Sequence, residues 1–359
     1  MLPSTPVIDV HVHTNYPYYP VTDEILKSNG ISRWINLSGG SSIQTLAKHL
    51  QVAQQFQDRV AVCVNIPWKW LSQANFEERI IQFLSQAKYL GAKCIKIPKS
   101  LGLFIPDPIS PNQLLKINDP LLSIIWQQAG LLDLPILIHI GDPWAFFDPL
   151  TPQNERYDEL SVHPDWSFAD PKYPRPLELL MAFEEILAKF NQTTFIGVHF
   201  ANCAEDLAYV RYALKKYPNL YADVAARLPE FGRHPASEVR ALFEDFPNRF
   251  LFGTDLGIGS GIMLGSVGRE EPMLFDIFDF YEKHWQFFQS NMRQMTHPTP
   301  IQGNWKIDAI GLSQATLDHL YYKNALKIIW HLSEQEIEKQ KQDDLLHLKN
   351  PKNWDELLE

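Results

Sequence analysis

A chain of 359 residues, 45% of them hydrophobic, can bury a large core, and its net charge of −10 argues against nucleic acid or an anionic membrane surface as the main partner. Three cysteines, Cys63, Cys94 and Cys203, are too few and too scattered for a disulfide framework or a cysteine zinc site; Cys63 and Cys94 lie inside apolar runs and read as small buried hydrophobes. With no basic, apolar leader pattern at the N-terminus and no uninterrupted apolar stretch of about 18 residues, a soluble cytoplasmic protein is expected.

The first strand candidate, Val7–His13, is an apolar run that ends in Asp9-Val10-His11-Val12-His13. Residues two apart on a strand point to the same face, so His11 and His13 can turn both imidazoles onto one ion. Further strand candidates follow at Arg33–Ser38, Val60–Ile66, Cys94–Ile97, Pro135–Gly141, Thr194–Phe200, Leu220–Ala226 and Arg249–Asp255. Most are apolar on both faces, as parallel strands covered on both sides are. Between them lie amphipathic stretches with recognisable ends: Ile43–Phe56 after Ser41-Ser42, Phe76–Leu90 before Gly91, Leu121–Leu132 after Asp119-Pro120, then Pro176–Phe190, Ala204–Tyr217 and Pro235–Phe246. Eight strands alternating with helices predict an α/β fold of the (β/α)8 TIM-barrel type. An open doubly wound sheet is the competing architecture, but no Gly-x-Gly-x-x-Gly turn follows the first strand.

Two connections are too long for plain turns, Asp142–Arg175 after strand five and Gly257–Trp305 after strand eight, the second with an aromatic helix at Met273–Phe288. Gln314–Trp330 reads as a closing helix and Ser333–Leu348 as a charged helical tail, either solvated or an arm over a neighbouring subunit. The predicted organisation is one barrel domain over residues 1–332 and a tail over 333–359.

In barrel enzymes the chemistry sits at the C-terminal ends of the strands. Strand five ends on His139, strand six on His199 and strand eight on Asp255, each closing an apolar run where an unpaired polar group would be costly to bury. With His11 and His13, five polar groups converge on one mouth. Lys96 on strand four and Arg227 after strand seven bring cations to the same mouth, and a guanidinium can grip a carboxylate through two parallel hydrogen bonds. Arg227 could equally pair with Glu230 or Glu155. Trp144, Phe146 and Phe147 either wall an apolar pocket or pack their loop onto the barrel.

This pattern of His-x-His after strand one, histidines ending strands five and six, and aspartate ending strand eight resembles the amidohydrolase superfamily. Pro135-Ile136-Leu137-Ile138-His139, Phe252-Gly253-Thr254-Asp255 and Tyr322-Lys323-Asn324-Ala325 are similar to its amidohydrolase-related branch, over roughly residues 7–331. The resemblance implies one divalent ion, Zn²⁺ first and Mn²⁺ second, held by His11, His13, His139 and Asp255. It implies that Asp255 takes the proton of an activated water and that His199 orients the water or polarises the substrate carbonyl. Asp9 would support the site from behind. Binuclear members of the superfamily bridge two metals with a carboxylated strand-four lysine, but a single ion is the favoured reading, with Lys96, Arg227 and Trp144 on the substrate side. The implied activity is hydrolysis of an ester, lactone or amide in a small carboxylated molecule. The alternative is nonoxidative decarboxylation of a small aromatic or enoic acid, and the third reading a catalytically dead binding barrel. The expected partners are a small-molecule substrate and a second copy in a homodimer.

Overall fold

A computed structural model describes residues 2–349. The strands are β1 (Val7–Thr14), β2 (Ile31–Asn36), β3 (Val60–Asn65), β4 (Cys94–Ile97), β5 (Ile136–Ile138), β6 (Phe195–Gly197), β7 (Leu220–Asp223) and β8 (Phe250–Leu251), paired in parallel in that order. Two backbone bonds close the ring: the Val10 N–H donates to Phe252 O and the Asp255 N–H to His11 O, both at 2.9 Å. The result is the expected (β/α)8 barrel. A short hairpin, β9 (Leu256–Ile258) and β10 (Ile262–Leu264), extends the sheet beside β1 at the C-terminal mouth.

The helices that cover the strands include α1 (Tyr19–Ser28), α2 (Ile43–Ala53), α3 (Phe76–Leu90), α4 (Ser123–Leu131), α5 (Pro176–Lys189), α6 (Leu207–Lys216) and α7 (Ala236–Asp245). Their local chemistry follows the sequence closely. Ser42 caps α2 by accepting from the Thr45 N–H, and Gly91 ends α3 with φ of 112°, a conformation open to glycine without penalty. The aromatic helix α8 (Asp276–Gln289) packs Trp285 and Phe288 against Phe252.

The strands run shorter than the apolar runs that mark them. In place of a strand through Phe200, β6 stops at Gly197, because His199, Phe200, Ala201 and Asn202 all take left-handed backbone with φ between 56° and 63°. Such conformations cost energy for side-chain-bearing residues and concentrate at functional sites. Ala226 and Asp255, which follow β7 and β8 by three and four residues, share this backbone.

Two apolar cores result. One lies between sheet and helices; the other fills the barrel with Ile8, Val10, Ile35, Leu37, Leu137, Ile196 and Leu251. This inner core continues into the C-terminal segment through Leu326, Ile329 and Ile337, so the bottom of the barrel is plugged by α9 (Asn324–Ile329) and α10 (Glu334–His347). A Ser333/Glu336 capping box starts α10. The highly charged sequence of this helix predicts a solvated tail or an arm over a neighbouring subunit. It instead docks through Ile337 and Asp344, both buried and seven residues apart on one face. Residues 350–359 of the expected tail lie outside the described residues.

Cys63 and Cys94 correct the sequence reading. They are opposed in the β3–β4 register and joined as a disulfide inside the barrel, with Cα atoms 4.4 Å apart. Two cysteines 31 residues apart give no hint of pairing, because the register of neighbouring strands decides it. Disulfides are uncommon in a reducing cytosol. Among the described residues no helix is long and apolar enough to cross a membrane.

Candidate metal centre

The mouth holds its histidines where the register of β1 against β2 shifts. Ile8 and Val10 point into the barrel, whereas Val12 packs in the outer core; the β1–β2 register slips between Asp9 and Val12. Such an irregularity re-aims the side chains that follow it, and here His11 and His13 both reach the cavity. Gly253 makes room for His11: a Cβ there would lie 3.0 Å from His11 Cβ. Asp9, fully buried, accepts from the His11 N–H (3.0 Å), the Thr254 hydroxyl (2.5 Å) and the Tyr281 hydroxyl (2.7 Å), tying strand one to strand eight. Burial raises its pKa to about 6, against the pull of those hydrogen bonds.

Each of the four strand-end histidines has one ring nitrogen tethered. His11 Nδ1 bonds Asp223 Oδ2 (2.8 Å), His13 Nδ1 bonds Ser38 Oγ (2.8 Å), His199 Nδ1 bonds Ala225 O (2.9 Å) and His139 Nε2 bonds Gly141 O (2.8 Å). A carbonyl oxygen only accepts, so the tethered nitrogens of His199 and His139 carry the proton and their other nitrogens carry a lone pair. Burial is the main force pushing all four pKa values down, so the rings stay neutral; for His11 and His13 the Lys96 charge is the next cause. Neutral rings with one nitrogen anchored and one free are the form in which histidine binds metal.

His11 Nε2 and His13 Nε2 each lie 3.4 Å from Asp255 Oδ1, and the three donor atoms form a compact trio. His139 sits one step away, its ring 4.4 Å from that of His199, which is 5.0 Å from His11. The structure thus brings His11, His13 and Asp255 together closely and sets His139 beside His199 on the same cavity. His11, His199 and Asp223 also cluster, but there Asp223 takes up His11 Nδ1 in a hydrogen bond and receives the His199 and Ala225 N–H groups on Oδ1 at 2.7 and 3.2 Å. That group is a support rather than a second set of free donors. Free imidazole nitrogens beside one carboxylate fit a single zinc-like ion.

Asp223 escapes the sequence reading, although it closes the run Leu220-Tyr221-Ala222 just as Asp255 closes strand eight. Asp142 is a second omission. Burial alone would raise its pKa, but Lys99 (2.5 Å), His139 (3.6 Å) and Arg227 (3.8 Å) together hold it well below the usual carboxylate range.

The cavity these groups enclose measures about 290 Å³. Lys96 lines it with its Nζ buried and unpartnered; burial lowers its pKa to about 8, opposed by Asp223 and Asp255. Asp255 is raised to about 7 by burial, opposed by Lys96 and Arg227. Arg227 is buried at the cavity wall, where it donates to Ala226 O at 2.8 Å and lies 3.8 Å from Asp142; neither partner expected from the sequence meets it, since Glu230 pairs with Arg156 and Glu155 with Arg233 at 2.9 Å. Trp144, expected on the substrate side, does not line this cavity. It is 45% exposed and lies outside the cavity, because the short helical turn Trp144–Phe147 directs Phe146 to the cavity instead. The second aromatic wall is Trp166, stacked on His163 at 4.1 Å.

Comparison with known proteins agrees with this architecture. A family model described as amidohydrolase matches residues 44–329. An uncharacterised TIM-barrel protein from Bordetella bronchiseptica superposes over 90% of this chain and 98% of its own, with TM-score 0.53 and 13% identity. A dihydroorotase from Campylobacter jejuni does so over 92% and 84%, with TM-score 0.50 and 13% identity. A 2,6-dihydroxybenzoate decarboxylase in complex with 2,6-dihydroxybenzoate covers 92% and 100%, again at TM-score 0.50 and 13% identity. At such identity the likeness is one of fold. No curated protein matches the chain. The family match spans most of the barrel and includes the ends of strands five, six and eight, and on that ground the chain belongs to the amidohydrolase family.

Proposed function

We propose that the protein is a metal-dependent hydrolase that cleaves an ester, lactone or amide bond in a small carboxylated molecule. The observation that carries this reading is the pair of anchored, neutral imidazoles, His11 and His13, whose free Nε2 atoms each lie 3.4 Å from Asp255 Oδ1. His11, His13 and Asp255 would hold one divalent ion, zinc by preference, with His139 completing the set. When bound, such an ion supplies Lewis acidity and lowers the pKa of a water toward ~7. Asp255 accepts the proton of the attacking water and returns it to the leaving group. His199, protonated on Nδ1 by its bond to Ala225 O, offers only a lone pair at Nε2. Of its two expected roles, orienting the water as an acceptor suits this ring, whereas polarising a carbonyl would need a second proton that burial opposes. Lys96 and Arg227 receive the substrate carboxylate, and Phe146 and Trp166 flank its apolar part.

A second reading, nonoxidative decarboxylation, draws on the same aromatic-walled cavity. The two separate in one experiment: zinc-loaded protein is offered a panel of γ- and δ-lactones, carboxylated esters and aromatic acids, with acid release and carbon dioxide both followed. Ester or lactone cleavage that Asp255→Asn slows by roughly 10²–10⁴-fold is expected for the hydrolase. Carbon dioxide release without any hydrolysis would replace it with the decarboxylase.

A further inference from the structure

Gln302 comes from the insertion after strand eight and lines the same cavity, yet it is only 1% exposed. Its amide nitrogen donates to Gly265 O at 3.2 Å. A carbonyl cannot donate, so this bond fixes the orientation of the amide and leaves Oε1 as the spare atom. Oε1 has no protein partner. Two donors on the cavity wall are in the same state, Lys96 Nζ and Arg156 Nε, though Arg156 is otherwise committed to Glu159 and Glu230. The neighbouring carboxylates are already taken: Asp142 by Lys99, Glu159 by Arg156 and Ser266. Besides the histidine nitrogens, the wall therefore presents an uncommitted neutral acceptor, Gln302 Oε1, and an uncommitted cation, Lys96 Nζ.

Buried polar groups are rarely left unpaired, and a site built around one rejects molecules that cannot supply its partner. We infer that Gln302 is a specificity-determining residue whose Oε1 accepts a hydrogen bond from a hydroxyl or amino group of the substrate. Joined to the carboxylate that Lys96 and Arg227 hold, this makes the substrate a small hydroxy- or amino-carboxylic acid derivative. The anionic half of that description rests on the function proposed above; the donor half rests on Gln302 alone. A cavity of about 290 Å³ suits a compact ligand, since it equals roughly ten water volumes.

The test is calorimetric binding to zinc-loaded full-length protein with matched probes on two scaffolds. These are 4-hydroxybutanoate, butanoate and 4-methoxybutanoate, then 3-hydroxybenzoate, benzoate and 3-methoxybenzoate. On at least one scaffold the hydroxy acid is expected to bind about tenfold tighter than both analogues, which lack a donor. Gln302→Met should erase that preference and leave the affinity for butanoate or benzoate unchanged. Lys96→Met should weaken hydroxylated and unsubstituted acids alike and preserve the preference. No hydroxyl preference on either scaffold in the unaltered protein, including no binding at all, overturns the inference. So does a preference that survives Gln302→Met. Should that variant fail to fold, the comparison of probes on the unaltered protein decides alone. The uncharged 4-hydroxybutanamide and butanamide keep the two claims separate: equal affinity of acids and amides sinks the carboxylate reading, while the hydroxyl preference within the amide pair still judges Gln302.

Discussion

At the level of single residues, the site depends on which ring nitrogen is free. His11 illustrates the logic: Asp223 takes Nδ1 and so presents Nε2 to the cavity. One oxygen of Asp223 serves His11, and the other receives two backbone N–H groups. Asp223→Asn can satisfy only one of these demands. Its oxygen will stay with the backbone and its amide will face His11 Nδ1, which moves the ring proton to Nε2. Zinc affinity measured by chelator competition should fall by roughly 10–100-fold with the fold intact. An unchanged affinity would show that His11 does not bind through Nε2. The His-x-His spacing, the histidines closing strands five and six, and Asp255 are legible in the sequence because a polar residue that closes an apolar run is costly to bury without a partner or a ligand. Asp142 and Gln302 are not, since they lie in long insertions where charged and amide residues are common and only the fold shows which are buried.

Among the elements, α10 departs furthest from its sequence. A helix with Glu, Lys, Gln and Asp at most positions reads as solvated, yet it seals the bottom of the barrel around a buried ion pair. Arg33 Nε donates to Asp344 Oδ2 at 2.6 Å, the Tyr322 hydroxyl donates to the same oxygen at 2.7 Å, and Arg33 is 3% exposed. Removing one partner of a buried pair strands the other charge, at a cost of about 3–5 kcal/mol, whereas replacing both with apolar residues is often nearly neutral. Asp344→Leu should therefore lower the thermal midpoint sharply, and Arg33→Met added to it should restore most of the loss. Equal midpoints for the single and double variants would mean that the helix is held by Ile337 and its capping box alone. The bounds of α2 to α8 match the sequence to within a few residues because caps are local. The slip in strand one, the left-handed turn after strand six and the Cys63–Cys94 pairing do not show in it, because each is set by a neighbouring strand.

For the molecule as a whole, the alternation of apolar runs and amphipathic stretches is enough to reveal the barrel, and the barrel then gathers five polar groups that lie up to 244 positions apart in the chain onto one mouth. The two insertions, together with Lys99 from the loop after strand four, complete a small cavity whose walls carry the cations and Gln302. On the proposed function, His11, His13 and Asp255 share one ion. Anomalous diffraction from crystals grown with zinc, recorded on both sides of the zinc edge, tests it directly. A single peak is expected at about 2.0–2.2 Å from His11 Nε2, His13 Nε2 and an Asp255 oxygen. The absence of a peak at this trio, or two peaks bridged by a modified Lys96, would contradict it.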